Sequence, residues 1–377
     1  MQFFLYFCTQ ISTKTMQNDY FPSEKVEQIR HFLSDASHIV ILTHMSPDGD
    51  AMGSSLALYH WLKSQGTGVA LIVPNRFPSF FQWMPGVGDI IVYDERKAEA
   101  DALLAAADLM LCTDFNEPKR IGQVADRMLE NPCPKVLIDH HLHPADFADV
   151  TLSYPSSPSA SQLVYLLLST INYQLSTSLH PQLSTLNLSV ATCIYTGMMT
   201  DTGNFSFNSN HPEMYEILAE LVRAGVDKDA VYNAVFNAYS ADRMRLVGYC
   251  LYSKMRIFPE HHAALVCLSR KELYRFRFQT GDAEGIVNMP LQISDVRYSC
   301  FMREDKLEPH ERERAGNAKT KVKISFRSQG DRPVNVFAAD WFHGGGHANA
   351  AGGEFYGTVA EAAQCFLDHY QDYFRKD

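Results

Sequence analysis

From about residue 24 the chain alternates short apolar runs with stretches whose apolar positions recur at helical spacing. Residues 24–34 carry the helical period, residues 38–43 read as a buried strand, and residues 53–65 return to the helical period. Further apolar runs at 69–73, 109–112 and 136–138 predict strands, with helical stretches such as 98–107 between some of them. Strands separated by helices imply a mostly parallel, helix-covered sheet, an α/β fold.

The pattern changes at two places. Residues 169–189 are rich in Ser and Thr, nearly repeat Gln-Leu-Ser-Thr, and show few charges and no helical period, which predicts a tolerated surface loop expansion. Helical stretches at 212–224 and 229–239 precede a new register, so the domain boundary is expected near residue 240. The second unit, 241–377, carries strand patterns at 264–269, 298–303 and 322–327, a charged loop at 305–319, a Gly-rich turn at Gly344-Gly345-Gly346 and a last amphipathic helix at 360–374. Together these predict a larger domain over 24–240 and a smaller α/β domain over 241–377. Residues 1–23 are expected to be a disordered tail, with Met16 an alternative start.

At 377 residues the chain has room for two cores. Its eight cysteines form no C-x-x-C pair and no zinc-ligand spacing, so neither a disulfide framework nor a structural zinc is indicated, and a reduced, cytoplasmic setting is expected. The apolar run at residues 3–8 lacks a preceding basic residue and a small-residue cleavage site, which argues against a signal peptide, and no run is long enough to span a bilayer. A formal net charge of -10 argues against broad neutralisation of long duplex nucleic acid and leaves short anionic substrates open.

The strongest chemical signal is His44-Met45-Ser46-Pro47-Asp48-Gly49-Asp50, an imidazole and two carboxylates directly after a buried strand. The placement recurs: Asp114 follows the run at 109–112, and Asp139-His140-His141 follows the run at 136–138. In open α/β sheets such strand ends converge on one ligand-binding edge. Thr200-Asp201-Thr202-Gly203 follows the apolar helical stretch 190–199 and supplies a fourth carboxylate site. Taken singly, Asp114 or Asp201 is an ordinary turn or helix cap. Crowded together, these carboxylates would repel one another unless cations lay between them, and mixed carboxylate and imidazole ligation without thiolate suits Mn²⁺ or Mg²⁺.

This order of motifs resembles the DHH phosphoesterase superfamily, named for the triplet present here as Asp139-His140-His141. The second unit resembles that superfamily's DHHA1 domain through Ser325-Phe326-Arg327-Ser328 and the Gly344-Gly345-Gly346-His347 run, and the whole is most similar to the bacterial bifunctional oligoribonuclease and pAp-phosphatase type. The resemblance implies an active site in the cleft between the domains and two divalent metal ions, Mn²⁺ foremost. His44 and Asp48 would bind one ion, Asp50, His140 and Asp201 the other, and Asp114 would bridge them. It also implies that His141 faces the substrate phosphate and that Asp139 orients a ligating histidine. Arg327, Gly344, Gly345, Gly346 and His347 would hold a terminal phosphate, with Arg303 and Arg120 as weaker candidates.

The implied reaction is hydrolysis of short single-stranded oligoribonucleotides and of pAp (3′-phosphoadenosine 5′-phosphate), by a protein that does not act at a membrane; a homodimer is suggested. Turnover of cyclic di-AMP or pApA is the nearer alternative, pyrophosphate or polyphosphate hydrolysis a remoter one, and a non-catalytic nucleotide sensor the alternative of another class.

Overall fold

The computed structural model describes residues 20–176, 186–307 and 311–373. The expectations for residues 1–19, for 177–185 of the Ser/Thr-rich segment and for 308–310 of the charged loop lie outside these residues. The chain forms two compact units, one comprising residues up to 76 together with 81–231, the other 77–80 together with 232 onward. From the sequence alone the division was set near residue 240.

The first unit is built on six parallel strands, β1 (His38–Leu42), β2 (Gly68–Val73), β3 (Ile91–Val92), β4 (Leu109–Thr113), β5 (Lys135–Asp139) and β6 (Val150–Ser153), in the order β3-β2-β1-β4-β5-β6. β3, at two residues, and β6, with alternating burial, carried too little apolar signal to be read as strands. One sheet face packs Val40, Met110 and Leu137 against Leu104 of helix α3 (Lys97–Ala106) and Met128 of helix α4 (Val124–Glu130). The numbering of strands reverses between β1 and β4, and at such a switch point the loops leaving the two carboxyl ends part and open a crevice.

On the other face lie helices α1 (Ser23–Asp35), α2 (Gly49–Ser64), α5 (Ala160–Ser176) and α6 (Leu188–Asp201), with Ile29, Leu58 and Leu167 against Leu111, Val136 and Ile138. α2 is buried on nearly every side, which its Gly, Ala and Ser content permits. It begins at Gly49, four residues before the position read from the pattern. α5 runs on to Ser176, so the first part of the segment taken for a loop is helical.

The second unit has a mixed sheet in the order β11-β12-β10-β9-β8-β7, made of β7 (Met255–Phe258), β8 (Ala263–Leu268), β9 (Tyr298–Lys306), β10 (Thr320–Ser328), β11 (Gly345–His347) and β12 (Ala350–Tyr356). Its main core joins Cys300, Met302, Ile324 and Phe326 to Phe337 and Phe342 of the helix Asn335–Phe342 and to Phe366 of the helix Val359–Tyr373. Two expectations need correction. Gly345 and Gly346 belong to a short strand rather than a free turn, and the segment read as a charged loop contains the end of β9 and the helix Arg312–Ala315.

Candidate metal centre

Each chemical side chain of the first unit is delivered by the end of an element. His44 lies two residues beyond β1. Asp48 caps α2, its Oδ1 accepting from the N–H groups of Asp50 (3.0 Å) and Ala51 (3.1 Å), so Asp50 stands in the first helical turn. Asp114 follows β4 directly in the left-handed region, φ 62°, and its N–H donates to the Ile138 carbonyl at 3.0 Å. That conformation is uncommon for residues other than glycine, and aspartate adopts it more readily than most. Asp139 ends β5, and Asp201 ends α6.

Six of these groups gather in two sets. His44, Asp48 and Asp114 offer ligand atoms within 4.8 Å of one another, and so do Asp50, His140 and Asp201. Asp114 faces both: its Oδ2 is 3.4 Å from His44 Nε2 and its Oδ1 3.4 Å from His140 Nε2. His140 Nε2 is also 3.5 Å from Asp201 and 3.7 Å from Asp50. In both histidines Nδ1–H donates to a backbone carbonyl, His44 to Met45 (2.8 Å) and His140 to Ser157 (3.2 Å). That fixes the tautomer and leaves Nε2 turned toward the carboxylates, the arrangement a ligating imidazole needs.

The charges are far from balanced by protein alone. Burial, then the negative charges of Asp114 and Asp201, drives Asp50 well above the ordinary carboxylate range. Burial would lower His44, but the Asp114 and Asp48 carboxylates outweigh it and raise it to about 10. His140 is raised in the same way, against burial, by Asp114 and Asp201, while Asp114, despite its own burial, is held well below the usual range by His140 and His44. Protons thus substitute for missing positive charge. Asp114 Oδ1 is buried with no hydrogen-bond partner among the described residues. A donor set of carboxylates and imidazole nitrogens with such an orphaned oxygen fits divalent cations, whose binding would displace the protons.

Asp139 is fully buried and serves His141: Oδ1 accepts from Nδ1–H at 2.8 Å and Oδ2 from the His141 backbone N–H at 3.1 Å. The histidine that Asp139 orients is thus His141, whereas His140 is anchored by Ser157. Burial, assisted by Arg120, lowers His141 against the opposing pull of Asp139 and Asp114.

Several positioning groups carried no recognisable chemistry in the sequence. The Asp50 carboxylate accepts from the N–H groups of Ala160 and Ser161 (2.6 and 2.9 Å), so it also caps the start of α5. Asn75, just beyond β2, accepts from the Ser46 N–H at 2.6 Å and pins the loop after β1. α2 and α6 approach so closely that a Cβ at Gly53 would lie 2.6 Å from the Cys193 carbonyl oxygen, and one at Gly49 would run into Thr200. Small, polar or amide residues such as Ser157, Ala160, Ser161 and Asn75 signal nothing by type. Only their position at the same edge marks them.

In the second unit the antiparallel register sets His347, Ala350 and Arg327 side by side on one face of β11, β12 and β10. The Arg327 guanidinium donates to the Phe326 carbonyl at 2.9 Å. Gly344 and Gly346 are required by the fold, because a Cβ at either would strike the carbonyl oxygens of Gly352 and Ala350, respectively. A Cβ at Gly345 would meet nothing.

The model of the DHH family, N-terminal domain, matches residues 38–198. The bifunctional oligoribonuclease and PAP phosphatase NrnA of Thermus thermophilus is 28% identical over 326 residues, 86% of either chain. The cyclic-di-AMP phosphodiesterase GdpP of Bacillus subtilis is 23% identical over 356 residues, which cover 92% of this chain and 49% of that one. A crystal structure of an exopolyphosphatase-related protein from Bacteroides fragilis is 44% identical, covers 94% of this chain and 97% of its own, and superposes with a TM-score of 0.82. With its aspartates and histidines converging at the switch point of a parallel sheet, the stretch 38–198 is a DHH-family N-terminal domain.

Proposed function

We propose that this protein is a two-metal phosphoesterase that hydrolyses very short oligoribonucleotides to mononucleotides and dephosphorylates pAp to AMP. The observation that carries the reading is the Asp114 carboxylate, which presents one oxygen to each of two three-residue ligand sets. The NrnA relative, similar over most of both chains, supports the choice of substrate.

In this reading His44, Asp48 and Asp114 hold one cation, Asp50, His140, Asp201 and the same Asp114 the other. Bound divalent cations supply a lowered water pKa and neutralise charge on the phosphoryl oxygens. His141 is the acid: Asp139 holds its Nδ1–H, so Nε2 is the atom that meets substrate. At rest burial keeps this imidazole neutral. The negative charge of an arriving phosphoryl group opposes that burial and favours the proton that Nε2 then gives to the leaving oxygen. Arg327 and His347 are the proposed groups for a terminal phosphate, with Arg327 suited to bidentate contact.

The test is product analysis of Mn²⁺-loaded protein with pAp, a linear diribonucleotide and cyclic di-AMP, with the Asp139→Ala/His140→Ala double variant as blank. Cleavage of pAp and the linear dinucleotide, absent from the blank, is expected. Preference for the cyclic compound would replace this reading with turnover of a signalling nucleotide, and binding without product would make the protein a sensor.

A further inference from the structure

The chain is acidic overall, yet residues 241–277 contain eight of its 33 basic residues and only three of its 43 acidic ones. The helix Ala241–Tyr249, the turn Cys250–Lys254 and the helix Arg270–Arg275 share one face of the second unit's sheet, where Leu246, Val247, Cys250 and Leu273 pack with Val266 and Phe301, while Arg256 of the edge strand β7 lies on the opposite face, in register with Leu265 and over Phe258. Contacts tie the parts together. Tyr249 and Lys254 both reach Glu272 (2.6 and 2.9 Å), and Arg245 and Arg277 share Asp242 (3.1 and 3.7 Å).

Most surface arginines and lysines are simply solvated, so charge alone decides little. Two further features separate this surface from an ordinary one. Arg270, Lys271 and Arg275 are exposed, and their side chains have no acidic partner among the described residues. Beside them stand Tyr252, 94% exposed, and Tyr274, 87% exposed, far above the other large hydrophobic side chains at the surface. Rings so bare gain almost nothing from the fold's own packing. Arg275 already lies over aromatic faces, 5.5 Å from the Phe276 ring and 5.9 Å from that of Tyr249.

We propose that this face of the second unit is a binding surface for single-stranded RNA, with bases stacking on Tyr252 and Tyr274 and phosphates neutralised by Arg270, Lys271 and Arg275. Free cations interleaved with exposed rings suit an unpaired strand, whose bases are open to stack while its backbone follows the charge. A duplex hides its base faces and would leave the tyrosines unused. A lipid surface would reward a larger aliphatic area than Ile257 and Met244 offer here. The surface would let the protein hold a strand longer than the very short oligoribonucleotides proposed as its substrates, and it does not depend on which phosphoester the metal centre opens.

The test is fluorescence anisotropy of the full-length protein with a labelled 12-nucleotide RNA in chelator, across a salt series. Tyr252→Ser/Tyr274→Ser is expected to weaken binding by about tenfold or more. The triple Arg270→Gln/Lys271→Gln/Arg275→Gln variant is expected to reduce the slope of log K against log salt by about 2. Both should cleave a diribonucleotide at the wild-type rate in Mn²⁺, which also shows that they fold. Wild-type affinity in both variants would overturn the proposal, as would variant-sensitive binding to phosphatidylglycerol vesicles with none to RNA. Absence of diribonucleotide cleavage by wild type would instead count against the proposed function, leaving RNA binding to be judged on its own.

Discussion

Asp139 shows how one buried carboxylate is committed to one partner. Both its oxygens are spent on His141, so Asp139→Asn should free or flip that ring while leaving the ligand sets intact. Loss of such an orienting partner typically costs ~10–100-fold; the expected pattern is a fall of that size in kcat with little change in KM or Mn²⁺ affinity, read by steady-state kinetics and metal titration. A matching loss of metal affinity would assign Asp139 to the metals instead. Glu272 in the second unit offers a test by pH. Burial would raise it, but Tyr249, Ser269 and Lys254 together lower it to about 2. A depressed carboxylate stabilises the fold above its unfolded pKa and loses that contribution as pH falls through the folded value. Glu272→Gln should therefore cost ~1 kcal/mol at pH 7, allowing for solvent screening, and the gap to wild type should close between about pH 4.5 and about pH 2. Urea unfolding at several pH values reads it; a constant gap would assign the effect to the helix cap alone.

At the scale of elements, the strand ends were legible because β1, β4 and β5 are apolar without interruption and each breaks off at a residue that carries chemistry. The start of α2 was not, because Asp48-Gly49-Asp50 looks like a turn until Asp48 is seen capping the helix. The resemblance named Asp201, but its route into the site depends on the α2–α6 contact, a matter of glycine spacing on two distant segments. Gly53→Val should force these helices apart at the Cys193 carbonyl. Such overpacking costs ~1–3 kcal/mol, and because Asp50 and Asp201 ride on the two helices, Mn²⁺ affinity should fall with it. A loss of stability at unchanged affinity would mean that the ligands do not depend on this packing.

For the whole molecule, all six proposed ligands lie in the first unit. Mn²⁺ at about 100 times its Kd should add ~2.7 kcal/mol to the stability of that unit, while unfolding of the second stays where it was. Calorimetry with and without chelator would separate the two, and a similar gain in Asp114→Ala protein would mean that the ion binds elsewhere. No helix among the described residues is long and apolar enough to cross a membrane.

The antiparallel run of α5 and α6 has one more consequence. α5 begins at the site, where Ala160 and Ser161 hold Asp50, and α6 ends there with Asp201. The opposite tips, Ser176 and Leu188, therefore stand one helix length away, ~21–25 Å at 1.5 Å per residue. Variation in the length of the link between them is screened from the chemistry by two packed helices. A peptide tag or fluorophore-bearing segment spliced in at residues 177–185 should leave turnover within about twofold of wild type, since lengthening the link between two helix ends adds only a small closure entropy. The same splice between Asp201 and Ser206 should abolish turnover. This remote end of the helix pair is thus a natural handle for tethering, labelling or immobilising the protein.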